Sequence, residues 1–192
     1  PLQNLFLGLR YTTRLYDWRS KKIMQAHAAD IQMIDIAYKD STQYSFHLEL
    51  TEKGTPVLTG TGHQPIHTPV NSHRIQSYLR LWDSLYCLGY EDRNRIKDTL
   101  LTEGKEIATV RLKNRKGVEQ TLTLYFKPIS KGTKGIIKVG DKTYDFDVYV
   151  GYLNKQDMII ITRNFAQLML RTYPEFFEGD NHDHLPQTPP HS

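Results

Sequence analysis

Residues 31–38 (IQMIDIAY) and 44–50 (YSFHLEL) flank the polar link Lys39-Asp40-Ser41-Thr42-Gln43. In the second run Tyr44, Phe46, Leu48 and Leu50 alternate with Ser45, His47 and Glu49. Period-two alternation puts apolar side chains on one face of an extended segment, so the pair predicts an antiparallel β-hairpin with one buried and one wet face. After a passage rich in Gly and Pro, Asn71 or Ser72 is placed to cap a helix. Its apolar positions Ile75, Tyr78, Leu79, Trp82, Leu85 and Tyr86 recur at offsets of three and four, and Gly89 supplies a stop signal.

Downstream, IATVRLK (107–113) and EQTLTLYFK (119–127) flank Asn114-Arg115-Lys116-Gly117, an Asn/Gly turn that predicts a second hairpin. IIKV (136–139), a turn at Gly140-Asp141 and YDFDVYV (144–150) follow, then the buried-strand pattern MIIIT (158–162). A last helix is expected from an Asn164 cap through Phe165, Leu168, Met169 and Tyr173, ending at Pro174. The halves share an order, which predicts an α+β fold of two similar units, each an antiparallel hairpin-based sheet plus one amphipathic helix. The expected organisation is an extended basic arm at 1–27, a first hairpin-helix unit at 28–91, a connector of helical character at 92–106, a second unit at 107–178 and a disordered tail at 179–192. One continuous α+β sheet is the alternative.

The chain of 192 residues is 39% hydrophobic and 24% charged, and no apolar run approaches the roughly 20 residues a membrane-spanning helix needs. A single cysteine, Cys87, excludes an internal disulfide framework and a Cys-based zinc site. Net charge is +4, and residues 1–25 account for all of it: Arg10, Arg14, Arg19, Lys21 and Lys22 against Asp17. In that segment Leu5, Leu7, Leu9, Tyr11, Thr13 and Leu15 alternate with Gly8, Arg10, Thr12 and Arg14, the pattern of an extended strand with one apolar face. Such a strand must add to a sheet edge, and the expected edge belongs to another chain. Leu5, Leu7 and Leu9 then make the apolar contact, and Arg10, Arg14, Trp18 and Arg19 give register and salt sensitivity. Interleaved cations and rings also suit a single-stranded nucleic-acid platform, which stands third because the run is short and terminal.

Asp145 and Asp147, two apart on a predicted strand, aim two carboxylates to one face with Asp141 and Asp157 as possible neighbours, the raw material of a divalent-cation site. A metal-dependent enzyme using this pair is the alternative function; the plain reading is a solvated strand face. His63, His67 and His73 match no zinc spacing, and a tail cluster of Asp180, His182, Asp183 and His184 offers no preorganised site. Cys87 adjoins the apolar stripe of the first helix, which predicts a buried thiol rather than a nucleophile. No G-x-S-x-G elbow, G-x-x-x-x-G-K-[ST] loop or G-x-G-x-x-G turn is present. No cofactor is expected.

The string Tyr144-Asp145-Phe146-Asp147-Val148-Tyr149, followed by Asn154, Asp157, Ile160, Ile161 and Phe165, resembles the C-terminal signature of a family of uncharacterised Bacteroidetes cell-envelope proteins. The first unit, with its hairpin, Val70-Asn71 start and leucine-bearing helix, is more loosely similar to a duplicated domain of unknown function in bacterial envelope proteins. The resemblance implies no catalytic residues. It implies a non-enzymatic interaction or scaffold domain, periplasm-facing and membrane-associated, with an envelope protein as partner. The chain opens at Pro1 with neither Met nor signal peptide, so an excised segment is expected, its N-terminal anchor lying out of view.

Overall fold

The computed structural model describes residues 19–61, 69–91, 94–130 and 133–177. The first hairpin is β1 (Ile31–Tyr38) and β2 (Phe46–Leu50), paired antiparallel with Ile34 opposite Leu48 and Asp35 opposite His47. Its link tightens into a 3-10 turn at Thr42–Tyr44, so the second strand starts at Phe46 rather than Tyr44. β3 (Pro56–Gly60) adds to β2 and ends the strand order among the described residues. α1 (Ser72–Leu81) is capped as expected, the Asn71 side chain accepting the Arg74 amide at 3.1 Å.

α1 does not run on to Gly89. A 3-10 turn at Trp82–Ser84 closes it, and the backbone then extends, because Leu85 and Leu88 bond to Ile23 and Ile160 instead of to a helical neighbour. Leu85 is buried all the same, while Tyr86 faces out. Gly89 sits in β4 (Gly89–Tyr90), paired to the last strand. The connector contains α2 (Asn94–Glu103). β5 (Glu106–Asn114) and β6 (Glu119–Pro128) form the second hairpin, and Gly117 in its turn has φ 81°, a conformation that L side chains rarely adopt. β7 (Ile136–Val139), β8 (Lys142–Leu153) and β9 (Asp157–Thr162) complete the strands, and α3 (Arg163–Met169) follows β9 directly. Thr162, not Asn164, caps α3 by accepting the Phe165 amide; Tyr173 lies beyond it in a 3-10 turn, and Leu168 is exposed.

The protein is α+β. The nine strands among the described residues make one antiparallel sheet, ordered β3-β2-β1-β5-β6-β8-β9-β4 with β7 paired to β8. The expected division into two similar units is not confirmed, since β1 pairs β5 from Ile31–Asn114 to Tyr38–Ala108 and joins both halves in one sheet. They also share one core, in which Trp82, Ile75 and Tyr78 of the first half pack with Val110, Leu122, Ile159 and Met169 of the second.

Strand alternation separates two faces. On β9, Ile159 and Ile161 enter that main core, whereas Met158 joins Tyr125, Val150 and Leu100 of α2 in a smaller cluster. α2 therefore covers the face opposite α1 and α3. Two tyrosines fasten the C-terminal end of α3: the Tyr78 hydroxyl donates to the Met169 carbonyl at 2.8 Å and Tyr38 to Leu170 at 2.6 Å. Burial holds both phenols well above the ordinary tyrosine range.

Candidate functional site

The residues assigned to docking lie at the start of the chain, and Leu5, Leu7, Leu9, Arg10, Arg14 and Trp18 fall outside the described residues. Arg19 is described, and its side chain is turned onto its own domain. It donates two hydrogen bonds of 2.7 Å to the two carboxylate oxygens of Asp157, at the start of β9, and lies 4.0 Å from the centre of the Tyr90 ring. The Tyr90 hydroxyl donates to the Ser20 carbonyl at 2.8 Å. Bidentate geometry and stacking are what guanidinium, unlike ammonium, supplies. The Arg19 bonds hold the Asp157 carboxyl below the usual carboxylate range, against the opposing effect of partial burial.

Beyond Arg19 the segment runs as a ribbon along residues 82–87. The Cys87 amide bonds to the Lys21 carbonyl, the Ile23 amide to Leu85 and the Ala26 amide to Trp82, with Lys22 and Tyr86 bridged. Ile23 and Met24 are 2% and 1% exposed and belong to the core. The expected arm of 1–27 is thus corrected: residues 19–26 are part of the domain, because two large apolar side chains here find more burial in their own core than in solvent. Arg19 is the anchor at the root of the preceding segment rather than a residue left free for a partner.

The two aspartates of the cation reading part company. Asp145 is 5% exposed; its carboxylate accepts Lys127 Nζ at 2.9 Å, the Asp147 amide at 3.0 Å and the Thr133 hydroxyl at 3.5 Å. Burial pushes its pKa up, but these donors outweigh it and the net direction is down. Asp147 is exposed. A bulge in β8 separates them: the pairing steps from Phe126–Tyr149 to Pro128–Tyr144, so β8 spends three more residues than β6 and alternation lapses over 145–148. The Lys127 ammonium stands where a cation would sit, and Asp157 is engaged by Arg19. Among the described residues no group of three or more His, Cys, Asp and Glu stands close enough to hold a metal ion.

Cys87 is buried, which pushes its thiol up. His73 contacts the Ser77 hydroxyl at 3.3 Å on an exposed helix face, and His63, His67 and the tail cluster lie outside the described residues. Among the described residues no helix is long and apolar enough to cross a membrane. Nothing local in the sequence marks Tyr90 or pairs Asp157 with Arg19; the one signal is that Asp157 is among the carboxylates near Asp145 in the expected strands. Comparison with known proteins finds no matching family model, curated protein or solved structure.

Proposed function

We propose that this is a non-enzymatic protein–protein interaction or scaffold domain that docks through the segment preceding Arg19. The observation that supports it is the anchoring of Arg19 at the β4–β9 corner by Asp157 and Tyr90. This clasp fixes where the segment leaves the domain, and the residues ahead of it place Leu5, Leu7 and Leu9 at alternate positions, followed by Arg10, Arg14 and Trp18. An alternating strand adds to a sheet edge by main-chain hydrogen bonds, with its apolar side chains giving specificity. The partner is a protein of a bacterial cell envelope, and the domain is periplasm-facing and membrane-associated; this part of the proposal rests on the resemblance carried by residues 144–165.

The test is affinity capture from a native membrane fraction with the full chain and with its Leu5→Asp/Leu7→Asp/Leu9→Asp variant. A partner retained by the first and lost by the second, at equal thermal stability, supports the proposal. Equal capture by both chains refutes it.

A further inference from the structure

The ribbon of residues 19–27 is held differently from every strand of the sheet. Its pairing with 82–87 contains one isolated bridge, Lys22–Tyr86, rather than a ladder. The Arg19–Asp157 ion pair, which is partly solvated, and the bond from Tyr90 to Ser20 fasten its outer end, and side-chain bonds from Gln25 to the Leu85 carbonyl and between His27 and Asp83 fasten its inner end. At its middle Met24 has φ 45°, a left-handed conformation that a residue with a β-carbon adopts at a cost, while its side chain is fully buried. The ribbon covers the outer edge of the segment that carries Cys87, whose amide bonds to Lys21 and on whose thiol the charges of Lys21 and Arg19 act.

We infer that residues 19–27 are a latch, a strained ribbon that opens locally while the sheet stays folded and thereby frees the backbone edge of residues 85–87. Strain at Met24 favours release, and the Arg19–Asp157–Tyr90 clasp opposes it. Opening leaves the Cys87 amide and the Leu85 carbonyl without their present partners, which is an edge able to accept an added strand. Local openings of this kind occur below the free energy of global unfolding wherever a segment has few ladder bonds. The significance of the latch rests on the docking proposal, because a partner that grips residues 1–18 pulls directly on Arg19. Its existence does not, and it is measured on the chain alone.

Cys87 is the only cysteine and is buried, so its reaction with 5,5′-dithiobis(2-nitrobenzoate) reports any opening that exposes this thiol, and its response to clasp variants assigns the opening to the ribbon. The expected result is labelling without denaturant at a rate that stays flat through low urea. Asp157→Asn speeds it by about tenfold, since the guanidinium loses a charged acceptor, and Tyr90→Phe speeds it by a smaller factor while keeping the ring. Gly60→Ala, which strains the opposite edge of the sheet, leaves it unchanged. The inference is overturned if Cys87 reacts only along the global unfolding curve, or if all three variants accelerate labelling in proportion to their loss of overall stability.

Discussion

Arg19 and Asp157, 138 residues apart in the chain, meet in a two-pronged ion pair that fixes where the N-terminal segment joins the sheet. The pair ties the N-terminal segment to the first residue of β9, the strand next to last in the hydrogen-bonded order of the described strands, beside β4. Because the guanidinium also stacks on Tyr90, the clasp spans both β9 and β4.

The clasp has a pH signature. Asp157 and Asp145 both have folded pKa values below the ordinary carboxylate value. A depressed carboxyl contributes stability above its unfolded pKa, about 3.9, and that contribution is lost as pH falls through the folded value. Urea midpoints measured between pH 6 and pH 2 should therefore fall most steeply below about pH 4. Asp157→Asn should flatten part of that fall, and a variant with the full wild-type acid slope would show that the clasp adds nothing to stability.

The buried pair of Lys127 and Asp145 should be strongly coupled. Lys127→Met leaves an uncompensated carboxylate and should cost about 3 kcal/mol, while Lys127→Met with Asp145→Leu should recover most of the loss. A double-mutant cycle by chemical denaturation reads this directly, and additive losses would mean that the two groups do not depend on each other.

Gly60 ends β3 under the ring of Tyr173, and a β-carbon there would come within 2.6 Å of ring atoms. Gly60→Ala should cost about 1–3 kcal/mol through overpacking. Tyr173→Leu in the same chain should relieve part of the cost, whereas an unperturbed melting curve for the single variant would contradict the packing.

Trp82 is fully buried, with its ring meeting Tyr78 edge-on at 5.8 Å, and its indole N–H has no hydrogen-bond partner among the described residues. Trp82→Ala should cost about 3–5 kcal/mol, and Trp82→Phe distinctly less because only volume is lost. Melting of Trp82→Ala at the parent temperature would place the residue outside the core.

The hairpins and the buried stripe of α1 were legible because their signals are local: alternation in Phe46, Leu48 and Leu50, an Asn71 cap, a turn at Gly117. The β1–β5 pairing was not, since the register between strands so far apart in the chain, Tyr38 opposite Ala108 and Ile31 opposite Asn114, leaves no mark in either strand's own pattern. The same holds for Arg19, whose basic neighbourhood suggested a surface arm while its acceptor lay at the far end of the chain. Asp145 was misplaced for another reason. Its strand alternates on paper, and only the bulge against β6 turns it inward onto Lys127.

The boundary between domain and docking segment is the central claim, and equilibrium urea unfolding of two truncations measures it most directly. Removal of residues 1–18 should leave a cooperative transition with an unchanged midpoint, because the segment serves a partner. Removal of residues 1–25 should lower the midpoint sharply while leaving a cooperative transition, because it takes Ile23, Met24 and the Arg19 clasp with it. Unfolding or aggregation of the chain lacking only 1–18 would make that segment a strand of this domain and contradict the docking account.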